Sequence, residues 1–365
     1  MIKVTSKTVE TIETTNILTQ SAYWATIKEK QGFEPRGFEV RVPAVVLDPG
    51  STHDQEYEED LIVLVDQVSE KHSYAYVPYG PKLEPRDEAQ GKFLELLSEE
   101  LREHLPANCS HIQYDLSWKN QWANDQDYVN AEGELIEHPS VRSQEFRINF
   151  NTENWKLRKS NQDALPKSTF FLDLTLSEKD LLYNMRYNTR YNIRRASKQG
   201  IQISEHGLER LDDWYGLFAE TATRNNLNIL EKEYFQYVLE DHRSEGVETR
   251  LLMAEKDGEL LAAMILVMSD QRGTYLYGAS SRSREQIMAS YALQWEAIKL
   301  SKRAGCVEYD FFGSAPGLFK SHPLYGVHLF KKGFGGDLYH RMGCWDYPLR
   351  EKHYEEVKIG KLVAV

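Results

Sequence analysis

The alternation of apolar and polar positions divides the chain into strands and helices, and it does so twice in the same order. Leu61-Ile62-Val63-Leu64-Val65 is an unbroken apolar run, the pattern of a strand covered on both faces. Ser73-Tyr74-Ala75-Tyr76-Val77-Pro78-Tyr79-Gly80 reads as an aromatic strand closed by turn residues. Phe93, Leu94, Leu97 and Leu101 recur at helical spacing within 87–104, and 111–115 is a short closing strand. The second copy opens with an apolar strand over 260–268, set off by the hairpin dipeptide Asp257-Gly258. An aromatic strand over 274–278 follows. Next comes a helix over 288–304 carrying Tyr291, Leu293, Trp295, Ile298 and Lys302, and then a closing strand over 307–310. Cys109 precedes Tyr114-Asp115 as Cys306 precedes Tyr309-Asp310. Agreement in order, spacing and terminal residues predicts an internal duplication.

Between the copies, 169–176 reads as a strand. Ser177 with Asp180 marks a helix start, and two helical stretches run to Gly200. Ile201-Gln202-Ile203 resumes strand character, and helices are predicted over 208–225 and 231–242. The polar, Asn/Lys-rich stretch 151–167 predicts a boundary between a first domain at 1–160, completed by the tail 344–365, and a second at 161–343. Strand, helices, antiparallel strands, helix, strand is the order of the acetyltransferase (GNAT) fold. The expected class is therefore α/β (α+β): two tandem GNAT-like domains, each a mixed, mostly antiparallel sheet flanked by helices.

A length of 365 residues accommodates two domains. No apolar run reaches the ~18 residues of a membrane span. The N-terminus lacks a secretion signal, and three scattered cysteines (Cys109, Cys306, Cys344) support neither a disulfide framework nor a zinc site. These features predict a cytoplasmic protein with at most peripheral membrane contact. A net charge of −12 opposes general coating by nucleic acid, DNA included. Yet 181–204 contains no acid and carries Arg186, Arg190, Arg194, Arg195 and Lys198. On a helix Arg186, Arg190, Arg194 and Lys198 would share one face, beside a stripe of Tyr183, Tyr187 and Tyr191. A polyanion would relieve the repulsion, with arginines on phosphates and tyrosines stacked on unpaired bases. The same pattern also fits a solvated basic face over core tyrosines, or one ion-paired to the acidic first domain, whose stretch 54–60 carries Asp54, Glu56, Glu58, Glu59 and Asp60.

Acyl-CoA-dependent members of this fold grip pyrophosphate with a Gly-rich loop at a helix N-terminus. Here 279–288 has no glycine and several long charged side chains, so another acyl donor is expected. Downstream, Phe330-Lys331 precedes glycines at 333, 335 and 336. That lysine suits an oxyanion stabiliser, and the segment equally suits a plain turn between two strands. His322 and His328 read as structural. No G-x-S-x-G, H-E-x-x-H or Walker sequence is present, and no metal or small cofactor is implied.

These segments together resemble the FemABX family of non-ribosomal peptidoglycan aminoacyltransferases. The resemblance runs from 19–28 through Tyr79-Gly80-Pro81 and the basic segment 190–201 to 275–281, 293–299, 309–313 and 330–336. It implies that the stem-peptide amine of UDP-MurNAc-pentapeptide or lipid II attacks the ester of an aminoacyl-tRNA. It further implies that Lys28 and Arg224 hold the acceptor's diphosphate, that Asp115, Tyr79 and Tyr277 line the sugar–peptide cleft, and that Asp115, or a phosphate or carboxylate of the substrate, accepts a proton. Phe330 and Lys331 would flank the reacting ester, and Arg186, Arg190, Arg194 and Lys198 would face the tRNA. The long helical arm of some members has no room between Arg224 and Arg250. Two other classes stay open: a GNAT-fold acyltransferase using acyl-CoA or acyl carrier protein, and a non-catalytic RNA-binding protein.

Overall fold

The computed structural model describes residues 1–137, 139–225, 227–240 and 246–363. The chain forms two compact units, one of residues 1–13, 17–167 and 340–365, the other of residues 14–16 and 168–339. The first contains β1 (Lys3–Lys7), α1 (Ala22–Lys30), β2 (Glu34–Pro43), α2 (Ala44–Leu47), β3 (Glu56–Ser69), β4 (His72–Pro78), α3 (Gln90–Arg102), β5 (Cys109–Lys119), α4 (Val141–Asn149) and β6 (Arg158–Lys159). The second contains β7 (Ser168–Asp173), α5 (Glu178–Asn184), α6 (Tyr187–Lys198), β8 (Gln202–His206), α7 (Leu211–Arg224), α8 (Lys232–Leu239), β9 (Val247–Lys256), β10 (Glu259–Ser269), β11 (Arg272–Ser280), α9 (Ala289–Arg303), β12 (Glu308–Asp310) and α10 (Tyr325–Lys332). From His340 onward β13 (Asp337–Pro348) belongs to the first unit, as does α11 (Glu351–Val363).

The strand order of the first unit is β1-β2-β3-β4-β5-β13, with β6 also on β13; that of the second is β7-β12-β11-β10-β9-β8. Each sheet holds one parallel pair among antiparallel neighbours: β4 with β5 (Pro78 beside Asp115), and β11 with β12 (Thr274 beside Asp310). A parallel connection requires a crossover, and α3 and α9 supply it. The predicted repeat is thus a repeat of topology, and two GNAT-like units are its result.

Chemistry repeats with topology. Tyr114, at the end of its crossover, shares a 2.9 Å hydrogen bond with Ser98 of α3. Tyr309 in the second copy accepts a 2.6 Å bond from Gln294 of α9. Each crossover helix is pegged to its closing strand by a buried tyrosine, and each tyrosine is followed by a buried aspartate. Phe93, Leu94, Leu97 and Leu101 of α3 pack with Phe38, Val40, Leu61 and Val63. Leu293, Ala297 and Ile298 of α9 pack with Leu252, Met264 and Leu266. Each large side chain so buried contributes roughly 1.5–3 kcal/mol.

Several boundaries differ from expectation. The acidic stretch 54–60 enters a strand: from Glu56 it is the first half of β3, laddered to β2, with Glu58 paired to Arg41 and Asp60 to Lys7. Its alternating acids are the polar face of an extended strand. The helix predicted over 208–225 begins in regular form at Leu211. That over 231–242 spans Lys232–Leu239, with 241 and 242 outside the described residues. The hairpin at 257–258 forms as predicted, with φ of +54° and +78°.

Two glycines test this packing. A Cβ on Gly91 of α3 would lie 1.7 Å from the Ile148 carbonyl oxygen of α4, whereas one on Gly216 of α7 meets nothing within 4 Å. Gly91→Ala should cost about 1–3 kcal/mol or more through forced separation of α3 and α4. Gly216→Ala should stabilise by about 0.5–1 kcal/mol, because a helical alanine loses less entropy than glycine. Denaturant midpoints check both, and a neutral Gly91→Ala would contradict the close contact.

Candidate functional site

Lys331 lies on the last turn of α10 and is 5% exposed. Its amine donates to the carbonyl oxygens of Phe312 at 2.9 Å and Gly313 at 2.5 Å, just past the end of β12. The Tyr275 ring lies 5.2 Å from it. Burial lowers the amine's pKa to about 7, opposed by the negative charge of nearby Asp310. Asp310 accepts from Thr169 Oγ1 at 2.5 Å and from the Phe312 amide at 2.7 Å, which bends the chain at Phe312 into φ +53°. Phe330, one residue back, sets its ring edge-on to Tyr291 at 5.0 Å and Phe334 at 5.2 Å.

The segment 326–336 is therefore not a turn between two strands. It is α10 followed by a glycine turn: His328 and Lys331 are buried three residues apart on one side of the helix, Phe330 packs on Tyr291 and Phe334, and the glycines then end it. The glycines permit close approach. A Cβ on Gly335 (φ +83°) would lie 2.6 Å from the Asn184 carbonyl oxygen, and one on Gly333 2.4 Å from Thr189 Oγ1. Gly333 O also accepts from the Arg186 amide at 2.9 Å. The turn after Lys331 thus seats the start of α6.

The basic segment is not one helix. Arg186 has extended backbone and caps α6, and α5 ends at Asn184. Arg190 turns its guanidinium onto the carbonyls of Leu182 (3.3 Å), Tyr183 (3.0 Å) and Met185, closing the C-terminal end of α5. It is bound to backbone, unlike Arg186, Arg194 and Lys198, which are exposed. None of these three has an acidic partner at ion-pair distance among the described residues. Tyr183, Tyr187 and Tyr191 are 81%, 72% and 52% exposed, so they are not core residues. The core side of α6 is Thr189, Ile193 and Ala196.

Tyr277 of β11 shares a 2.8 Å hydroxyl bond with Tyr234 and packs against Phe218 and Phe235; burial raises its pKa to about 12. Arg224 ends α7, 3.3 Å from Glu220 Oε1 and 3.4 Å from Ser280 Oγ. In the 281–288 stretch, Arg284 is paired to Asp257 and Glu259 at 2.9 Å each. This segment is tied to the β9–β10 hairpin by charge. His328 is bonded to Ser314 and Ala315, and His322 accepts from the Leu324 amide, both structural contacts.

In the first unit, Asp115 is fully buried. Its Oδ2 accepts from the Leu165 amide at 2.9 Å and the Tyr76 hydroxyl at 3.2 Å, while its buried Oδ1 has no hydrogen-bond partner. Burial raises its pKa to about 6. The segment 160–167 lies across it. Tyr79 donates to Pro166 O at 2.6 Å, Cys344 N to Asp163 at 2.8 Å, and Arg341 N to Lys167 O at 2.7 Å, with the Arg341 guanidinium 4.4 Å from the Tyr79 ring. The resemblance implies that Asp115 lines the sugar–peptide cleft and accepts a proton. The structure instead covers Asp115 with this strap, because Leu165 and Pro166 satisfy the polar groups around it. Lys28 of α1 donates to Gln31 at 2.8 Å and lies over the Trp24 and Phe33 rings at 5.1 and 5.7 Å; burial lowers its pKa. No carboxylate pairs with it among the described residues.

Among the described residues no group of His, Cys, Asp and Glu is arranged to hold a metal ion, and no helix is long and apolar enough to cross a membrane. The FemAB family model matches residues 7–257 and 241–361. The chain belongs to the FemAB family. Its curated relatives include a lipid II:glycine glycyltransferase of Staphylococcus haemolyticus, 29% identical over 136 residues. That match covers 37% of this chain and 32% of the relative. Another of that name, from Staphylococcus aureus, is 29% identical over 119 residues, 32% of this chain and 28% of the relative. The match thus spans about a third of the relatives' length. The crystal structure of FemX superposes with a TM-score of 0.72 at 16% identity, covering 98% of this chain and all of that one. A tandem GNAT protein from the clavulanic acid pathway gives 0.50 at 10% identity, covering 95% and 98%. Both likenesses are of fold.

Sequence reasoning missed the strap over Asp115, Tyr76 and Arg341 around it, and the capping role of Arg190. The Asp115 environment makes a signed prediction. A carboxyl with a folded pKa of about 6 retains its proton longer than in the unfolded chain. Stability should therefore fall as pH rises from about 4 through about 6, with the penalty complete above it. Asp115→Asn should abolish that slope and raise the melting temperature at neutral pH; an unchanged slope would contradict the assignment. On α6, Arg190→Ala should destabilise the chain by about 1–3 kcal/mol through orphaned carbonyls, while Arg194→Ala stays within about 0.5 kcal/mol. Equal losses in thermal unfolding would contradict the distinction.

Proposed function

We propose that this FemAB-family chain is an aminoacyltransferase that moves an amino acid from aminoacyl-tRNA to the stem-peptide amine of a peptidoglycan precursor. The observation that carries the reading is the link between α6 and Lys331. An exposed, acid-free face of tyrosines and arginines is seated on the glycine turn that follows a buried lysine. Such a face suits a nucleic acid with unpaired bases, arginines for phosphate and tyrosines for stacking. A lysine with a pKa near 7 suits proton traffic or oxyanion stabilisation at neutral pH. The relatives' name supports lipid II as acceptor, and UDP-MurNAc-pentapeptide shares its diphosphate and stem peptide. Within this reading Arg186, Arg194 and Lys198 face the tRNA, with Arg190 holding their helix in place. Lys28 and, separately, Arg224 are the cations assigned to the diphosphate, and Tyr79 and Tyr277 are assigned to the sugar and peptide.

In the reaction the precursor's neutral amine attacks the ester carbonyl, forming a C–N bond and a tetrahedral oxyanion. The carbonyl re-forms, the bond to the ribose oxygen breaks, and that oxygen leaves as a hydroxyl. The net proton movement is from the attacking amine to the departing oxygen. Lys331 is assigned to this centre beside Phe330. Asp115 would take part only with its strap displaced.

The test is transfer of a labelled amino acid from a mixed aminoacyl-tRNA pool to UDP-MurNAc-pentapeptide and, in parallel, to lipid II. RNase-sensitive label in either acceptor is expected. Lys331→Met should lower the rate by about 100-fold or more with tRNA affinity intact. Arg194→Ala with Lys198→Ala should weaken tRNA binding and reduce its salt slope by about two. Binding of tRNA without transfer to either acceptor would contradict the enzyme.

A further inference from the structure

On the first unit, α4 and the chain after it carry a feature that the reading above does not use. Arg142, Phe146 and Phe150 follow one another at four-residue spacing, and all three are exposed. Phe146 is 57% exposed and Phe150 65%, with their rings 6.1 Å apart. Trp155 joins them, 45% exposed and 5.6 Å from the Phe146 ring. Phe146 joins the other two rings, and three large aromatics so linked and facing solvent form a patch, not scattered surface residues.

Trp155 holds that position at a conformational cost. Its φ is +50°, a region that bulky side chains rarely enter. Arg158 fixes it there, donating to the Trp155 carbonyl oxygen at 2.6 Å. A glycine would occupy this backbone without strain, so the indole's display is not explained by the turn.

The charge of the segment is the reverse of the chain's. Residues 141–160 carry five cationic side chains and two anionic ones, in a protein of net charge −12. Arg142 has neither ion-pair nor hydrogen-bond partner among the described residues, and Arg158 donates only to backbone oxygens there. Of the two acids, Glu153 is paired to Lys92 at 2.7 Å and Glu145 accepts from the Lys159 amide at 2.9 Å. Arg147 is paired with Asp87 at 3.3 Å, Lys156 with Glu99 at 3.5 Å and Lys159 with Asp163 at 3.1 Å, so Arg142 and Arg158 are the segment's cations without an acidic partner among the described residues.

We propose that this patch docks the protein on an anionic lipid bilayer, with Phe146, Phe150 and Trp155 entering the interface and Arg142 and Arg158 meeting lipid phosphates. Aromatic rings favour the headgroup boundary, and cations beside them gain from the negative surface. The segment leads directly into β6, which pairs with β13, itself paired with the Asp115 strand. A bilayer held at α4 is thus connected through rigid sheet to the first unit's candidate site. The inference rests on the proposed function in one respect: it favours the lipid-linked acceptor over the nucleotide-linked one.

The experiment is vesicle flotation of the full chain, using phosphatidylcholine alone and with roughly a third phosphatidylglycerol. The wild type should float with the anionic vesicles. Phe146→Ser, Phe150→Ser and Trp155→Ser combined should cut partitioning by roughly tenfold or more. Trp155→Gly relieves the backbone, so it should be at least as stable as wild type yet bind vesicles less. Transfer to lipid-linked acceptor in vesicles should fall with partitioning, while transfer to soluble nucleotide-linked acceptor should not. Wild type that fails to float, variants that float equally, or a patch that retains tRNA but not vesicles would each overturn the proposal. Patch-dependent floating with no transfer to either acceptor would uphold the surface and remove the catalytic reading. Efficient transfer to lipid-linked acceptor without floating would do the opposite.

Discussion

One buried ammonium group organises the second unit. Lys331 carries an amine out of water and onto two backbone carbonyls at the exit of β12, and its helix, its glycine turn and the start of α6 are fixed by that contact. Burying a lysine this deeply is unfavourable unless its donors are satisfied, and the Phe312 and Gly313 carbonyls do so. The neutral amine has two N–H groups for those two oxygens and one lone pair left. Near neutrality a small change of surroundings therefore decides whether the group holds or releases a proton. That is a useful property beside an ester whose aminolysis needs one proton moved.

The two units use the same frame differently. A single parallel pair in each sheet leads to a Tyr-Asp sequence in which the tyrosine pegs the crossover helix. In the second unit the aspartate bends the chain at Phe312 and helps hold Lys331 charged. In the first it lies under the strap 160–167 with one oxygen unpaired. Duplication supplied two equivalent buried carboxylates, and their neighbours made one a partner of an amine and the other an anchor for backbone.

Most of the frame was legible in the sequence because it depends on local pattern. Apolar runs, helical spacing, Asp257-Gly258 and the Ser177 cap each specify an element through backbone geometry or burial alone. What escaped depends on contacts distant in sequence. The helical array of four cations was broken by Met185-Arg186, and Arg190 was taken by carbonyls of the preceding helix, which charge spacing does not reveal. Strap residues Leu165 and Pro166 meet Asp115 and Tyr79 from 50 and 87 positions away. The 326–336 segment was ambiguous because its glycines suit both a loop and a helix end. The aromatic patch of α4 lay in a stretch with no matching motif, and only the exposure of its rings and the backbone of Trp155 set it apart.

The most direct test of this account is the ionisation of Lys331 in the intact chain, followed by carbon NMR of labelled lysine side chains, with Lys331→Arg to assign the signal. A midpoint near 7, well below that of the other lysines, is the result the account predicts. A midpoint near the ordinary ~10.4 would contradict it, because the amine would then not be desolvated as its burial beside the Tyr275 ring requires.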